Sequence, residues 1–149
     1  MDQQIYQNYK PSSMFSMASW AVLAIGVLGY LIGLWNVEMM SIGEKGFYLT
    51  IILFALHASV SAQKNVRDQA EGIEVNQTFM MLTWAAVVAP IVLLILGLYH
   101  AELPLADKGF YGIAFIMSMF AAVSVQKNTR DLVQYEKAHH QEKLVNSSH

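Results

Sequence analysis

The sequence predicts an all-α polytopic membrane protein, four transmembrane helices built as two tandem parallel-repeat hairpins. Three observations carry this expectation: a shortage of charge, four long uncharged stretches, and a repeat that halves the chain. Of the 149 residues, 13% are charged and 55% hydrophobic, with a mean hydropathy of +0.37. Soluble domains average about 25% charged residues, so this chain lacks the charge to cover a water-facing surface. The net charge of −2 leaves no electrostatic footprint for nucleic acid. Cysteine is absent, which excludes disulfides, thiolate zinc sites, iron–sulfur clusters and cysteine nucleophiles.

The spans follow from where the charges are not. The uncharged apolar stretches are residues 15–35, 46–62, 78–99 and 109–125. The first rises about 31 Å as a helix, enough to cross a hydrocarbon core about 30 Å thick. The second and fourth are 17 residues each, near the short limit. Their flanking Lys45, Lys64, Lys108 and Lys127 are expected to snorkel to the headgroups and lengthen them. None of the four shows the water-facing stripe of a soluble amphipathic helix. Residues 15–35 are also too long for a signal-peptide core, and no clear small-x-small site follows, so an uncleaved first span is expected.

Aromatics gather at the two turns expected on one side: Trp35, Phe47 and Tyr48, then Tyr99, Phe110 and Tyr111. They read as an interfacial belt. Lys10, Lys64, Arg67, Lys127, Arg130, Lys137 and Lys143 fall on one side, and only Lys45 and Lys108 on the other. By the positive-inside rule, both termini and the middle loop are expected in the cytoplasm.

The halves resemble each other. Aligning residues 44–68 with 107–131 gives twelve identities in 25 positions. Gly33-Leu34-Trp35-Asn36 with Glu38 returns as Gly97-Leu98-Tyr99-His100 with Glu102. Each repeat is read as a hairpin with a basic exit, and two spans per repeat return the chain to its starting side. The repeats are therefore parallel, with a pseudo-two-fold axis expected along the membrane normal. The organisation is an N-terminal segment (1–13), a first hairpin module (14–68), a linker (69–77), a second module (78–131) and a C-terminal tail (132–149). Small residues at helical spacing mark candidate seams: Gly26 and Gly29-xxx-Gly33, Ala55-xxx-Ser59 and Ala58-xxx-Ala62, Ala85-xxx-Ala89, and Ser118-xxx-Ala122.

At Gly33-Leu34-Trp35-Asn36-Val37-Glu38, Glu44-Lys45-Gly46-Phe47-Tyr48, Gln63-Lys64-Asn65-Val66-Arg67-Asp68 and their second-half counterparts, the chain resembles the YiaA/YiaB group of bacterial inner-membrane proteins. That resemblance covers roughly residues 14–131. It implies a module of two transmembrane helices and an inner-membrane location, and it brings no reaction, substrate or catalytic residue with it. The second half departs at its turn, where Tyr99-His100 replaces Trp35-Asn36 and Pro104 intrudes.

Candidate chemistry is sparse. His57, near the middle of the second span, is its one deep ionisable residue apart from tyrosines, and a candidate intramembrane polar site. Its repeat counterpart is Phe120, so the architecture does not require it, and a hydrogen bond to Ser59, Ser61 or backbone would satisfy it. No carboxylate lies within a span, which disfavours proton antiport. Glu38, Glu44, Glu102 and Asp107 at the external turns read as solvated or helix-starting acids. Pro90 is expected to kink the third span. The tail around His139 and His140 reads as a polar, partly disordered terminus.

The basic exits carry the sharper signal. Lys64, Arg67, Lys127 and Arg130 sit where a helix C-terminus favours cations, but Asp68 and Asp131 oppose the macrodipole. Reciprocal pairs across the pseudo-two-fold axis, Arg67 with Asp131 and Arg130 with Asp68, would explain both acids. The other reading has the basic residues on lipid phosphates and the acids in solvent. No catalytic, cofactor or metal site is expected, no nucleic-acid partner and no identifiable small-molecule substrate. The expected partners are the bilayer and either a second copy or an envelope protein. A non-enzymatic interaction protein is the favoured reading, with a small transporter or channel subunit past His57, Thr50, Ser59 and Ser61 as the alternative.

Overall fold

The computed structural model describes residues 12–147. Lys10, most of the N-terminal segment and the last two residues of the tail lie outside the described residues. Four helices follow one another: α1 (Ser13–Asn36), α2 (Ile42–Ala70), α3 (Gln77–His100) and α4 (Leu105–Ser147). All four are long and apolar enough to cross a membrane.

Both ends of α2 and the start of α3 have a local cause. Ser41 opens α2 through a capping box, accepting from the Glu44 amide while the Glu44 carboxylate accepts from the Ser41 amide at 2.7 Å. Glu44 thus belongs to the first turn of α2. A Schellman motif closes α2, with the Ile73 amide donating to Asp68 O and the Gly72 amide to Gln69 O. That closure requires Gly72, whose φ of 75° most side chains avoid. Asn76 opens α3 by accepting from the Thr78 amide. The α3 helix runs unbroken through Pro90. The α4 helix continues to Ser147, where a partly disordered tail was expected. Residues 132–147 contain neither Gly nor Pro, and Tyr135 stacks on His139 one turn on.

Packing departs from a pair of self-contained hairpins. The helices of one repeat touch little: α1 against α2, and α3 against α4, meet only sparsely. Instead α1 packs along α4, α3 packs along α2, and α2 meets α4 at the centre. Each module is completed by a helix of the other. Close approach explains the choice. A Cβ at Gly33 would lie 3.1 Å from Phe110 and 3.2 Å from the Tyr111 hydroxyl. One at Gly97 would lie 3.0 Å from Phe47 and 3.1 Å from the Tyr48 hydroxyl. The aromatic pair of each repeat therefore seats its tyrosine against the glycine of the other.

The buried positions repeat in register. On α2 they are Tyr48, Ile51, Ile52, Ala55, Ala58, Ser59, Ala62, Asn65 and Asp68. Position by position, α4 buries Tyr111, Ala114, Phe115, Ser118, Ala121, Ala122, Val125, Asn128 and Asp131. The peripheral helices bury narrower stripes: Ser19, Gly26, Tyr30 and Leu34 on α1, and Thr83, Pro90 and Leu94 on α3. The seams expected on α2 and α4 are thus in the core, whereas Ala85 on α3 is exposed and its seam runs instead through Thr83, Pro90 and Leu94.

The aromatic belt also divides. Trp35 and Tyr99 are exposed, but Tyr48 and Tyr111 are core residues, 4% exposed each. At the turns, the lysines cap the preceding helix: Lys45 Nζ donates to Trp35 O at 2.9 Å and lies 5.8 Å from the Trp35 ring centroid, and Lys108 Nζ reaches Tyr99 O at 3.5 Å. A cation on the last carbonyls of a helix meets the negative end of its dipole. The outer surface is apolar, with Trp20, Ile25, Leu28, Ile32, Trp84, Ile95 and Ile113 among its exposed residues. Such a surface fits a hydrocarbon solvent.

Candidate functional site

Polar chemistry collects at one end of the bundle, in two layers. In the inner layer Asn65 Nδ2 donates to Thr83 Oγ1 at 2.8 Å, and Asn128 Nδ2 donates to Ser19 Oγ at 3.3 Å. Asn65 and Asn128 are repeat counterparts, as are Ser19 and Thr83, so one bond is made twice. Each hydroxyl passes its own proton back to its helix, Ser19 to Phe15 O and Thr83 to Phe79 O. In an apolar medium an unpaired amide is costly, so these bonds set the register of α1 on α4 and of α3 on α2.

One turn further out lies the charged layer. Arg67 Nη1 stands 2.9 Å from Asp131 Oδ1, close enough for an ion pair although not aligned as a hydrogen bond. Arg130 Nη2 donates to Asp68 Oδ1 at 2.8 Å. Lys64 pairs with Asp68 at 2.9 Å. Glu71 joins both arginines, 2.7 Å from Arg67 and 2.9 Å from Arg130. The Asp side chains are 12% exposed and the Arg side chains 18% and 20%, so the layer is partly desolvated. Hydrogen bonding to Arg67 above all, with Arg130 beside it, holds the Glu71 carboxyl below the ordinary glutamate range. Three cations meet three carboxylates, and the network is neutral. Lys127, the counterpart of Lys64, has no ion-pair partner among the described residues and stands exposed at its edge.

His57 is elsewhere. It lies on the exposed face of α2, while Ser59 is buried and donates to Ala55 O. Two residues along a helix is about 200° of rotation, so the two side chains leave opposite faces. Thr50 donates to Gly46 O on its own helix. Thr50 and Ser61, seven residues before His57 and four after it, lie on its side of α2, and Ser59 alone of the supposed polar path leaves from the other. The external acids gather no metal-binding cluster among the described residues.

Two features of this site escape sequence reasoning. Glu71 was unremarked because its counterpart in the repeat register is Gln134, so the repeat hides it. The Asn65–Thr83 and Asn128–Ser19 bonds had a usable signal: a hydroxyl at the same place in the first and third spans, and an asparagine at the same place just past the second and fourth.

The comparisons with known proteins agree with this architecture. The family model described as the yiaA/B two helix domain matches twice, over residues 15–68 and 79–131. The chain is 44% identical over 131 residues to "Inner membrane protein YiaA" of Escherichia coli (strain K12), covering 88% of each protein. It is 30% identical over 61 residues to "Uncharacterized membrane protein YubF" of Bacillus subtilis (strain 168), covering 41% of this chain and 70% of that one. No solved structure matches. With the two-helix domain present twice on four apolar helices, the chain belongs to the YiaA/B family and is a multi-pass inner-membrane protein.

Proposed function

We propose that this protein is a non-enzymatic association protein of the inner membrane, with both termini and the α2–α3 turn in the cytoplasm. The observation that carries the reading is the exchange of helices between modules: α1 finds its partner in α4, and α3 in α2. A two-helix module packed in this way has its complement in another module, which makes the module a unit of association. The match to YubF fits, because the 61 residues it shares with this chain are already 70% of that protein, leaving room there for one such module. The charged layer clamps two modules together at the basic end, and the apolar outer faces meet lipid, a second copy or an envelope protein. The orientation rests on the excess of Lys and Arg at that end.

Purified protein in liposomes tests the activity. No flux of ions or cationic dyes is expected, and flux that His57→Phe abolishes would replace this reading with a transporter or channel subunit. Reporter fusions test the orientation: periplasmic signals at Ser41 and Ala106 and a cytoplasmic one at Gly72 are expected, and the reverse pattern overturns it.

A further inference from the structure

The sparse contact between α3 and α4 leaves a membrane-facing groove of about 770 Å³. Its walls are Trp84, Val87 and Ile91 from α3 and Met119, Phe120 and Val123 from α4, with α2 as its floor. On α4 it extends from Ile116, at the middle of the fourth span, to Lys127. That is about 16 Å of helix, the depth of one leaflet of a core about 30 Å thick. One end therefore sits near the midplane and the other at the headgroups.

The headgroup end is built differently. Lys127 and Arg67 line it there, and Lys127 has no ion-pair partner among the described residues. Gln63 also lines the groove. The opening thus offers an uncompensated cation for a phosphate, above a slot lined by apolar side chains. We infer that the groove binds one anionic glycerophospholipid of the leaflet on the basic side. Its phosphate lies on Lys127, and an acyl chain runs between α3 and α4. This inference does not depend on the association reading.

Binding of phosphatidylglycerol and of phosphatidylcholine with the same chains, measured by native mass spectrometry on the full-length protein in mild detergent, tests it. Phosphatidylglycerol is expected to bind more tightly. Lys127→Gln is expected to weaken it about fivefold, the worth of one interfacial cation. Lys127→Arg is expected to keep the preference, as is Lys137→Gln, which removes an exposed cation elsewhere on α4. Val87→Trp, filling the slot from α3, is expected to weaken both lipids. Thermal unfolding reports whether each variant is folded. Equal binding of the two lipids, or an undiminished preference in Lys127→Gln, overturns the site. Glycerol phosphate competing as well as the intact lipid overturns the acyl slot. A lipid-independent dimer that Val87→Trp dissociates would assign the groove to a second copy instead.

Discussion

Arg67 answers Glu71 on its own helix end and Asp131 of the other half, while Arg130 answers Asp68 and Glu71 of the other half, which makes the charged layer testable by exchange. Exposed ion pairs are worth about 0–1 kcal/mol, whereas stripping one partner from a buried pair costs about 3–5 kcal/mol. The partial burial here puts Arg67→Asp between these, at about 1–3 kcal/mol. That change sets three carboxylates together, at positions 67, 71 and 131. Adding Asp131→Arg should recover much of the melting temperature in detergent of fixed composition, and no recovery would leave the basic residues to lipid phosphates. Glu71 gives a second, pH-dependent signature. Its carboxyl titrates lower in the folded protein than in the unfolded chain. Its stabilisation is therefore complete above the ordinary glutamate value of about 4.3, and is lost as pH falls through the lower folded value. The advantage of wild type over Glu71→Gln in melting temperature should be full at neutral pH and vanish on acidification. A constant difference would mean that Glu71 acts without its charge.

At the scale of a helix, the glycines decide how near two backbones come. A Cβ at Gly26 would stand 2.5 Å from Ser118 Oγ and 3.3 Å from Ala114 O, the latter a backbone atom that cannot yield alone. Gly26→Val should push α1 off α4 at a cost of about 1–3 kcal/mol, read as a lower melting temperature. Gly109→Ala, where an added Cβ meets nothing within 4 Å, should be neutral or slightly stabilising because alanine is the better helix former. Equal damage from both would mean that helix approach is not what Gly26 serves. The same residues show what the sequence could reveal. The four spans were legible because they depend on where charge is missing, a property of contiguous residues. Helix partners were not, because all four spans are nearly uniformly apolar and none carries a stripe that says what it faces. Tyr48 and Tyr111 misled for a related reason. A tyrosine at a span end resembles a belt residue until Gly97 or Gly33, far away in sequence, is seen against it. The Arg–Asp exchange was reachable because an acid beside a basic residue recurs at the same place in both halves; the dipole argument holds for Asp68 in the last turn of α2 but not for Asp131, because α4 runs on to Ser147.

Over the whole molecule, the chain order and the packing order disagree, and that disagreement can be tested by cutting. Hairpins that fold as separate modules would gain little from each other once the α2–α3 turn is broken. In the structure each half instead leaves a helix unsupported: α1 needs Gly26 and Gly33 seated on α4, and α3 needs Gly97 seated on α2. Residues 1–72 and 73–149, expressed together as two chains, should therefore co-purify as a heterodimer from membranes. Expressed alone, each half should self-associate through the same surfaces, since the buried positions of α2 and α4 correspond one for one. The natural absence of cysteine makes the contacts addressable. Cysteines placed at Ser19 and Asn128, whose side chains meet at 3.3 Å, should be joined between the two fragments by a short bifunctional thiol reagent. Cysteines at Thr83 and Asn65, which meet at 2.8 Å, should behave alike. Cross-linking at both pairs is the signature of exchanged helices. Fragments that accumulate as separate monomers, with neither pair joined, would return the molecule to two self-contained hairpins and remove the association unit on which the proposed function stands.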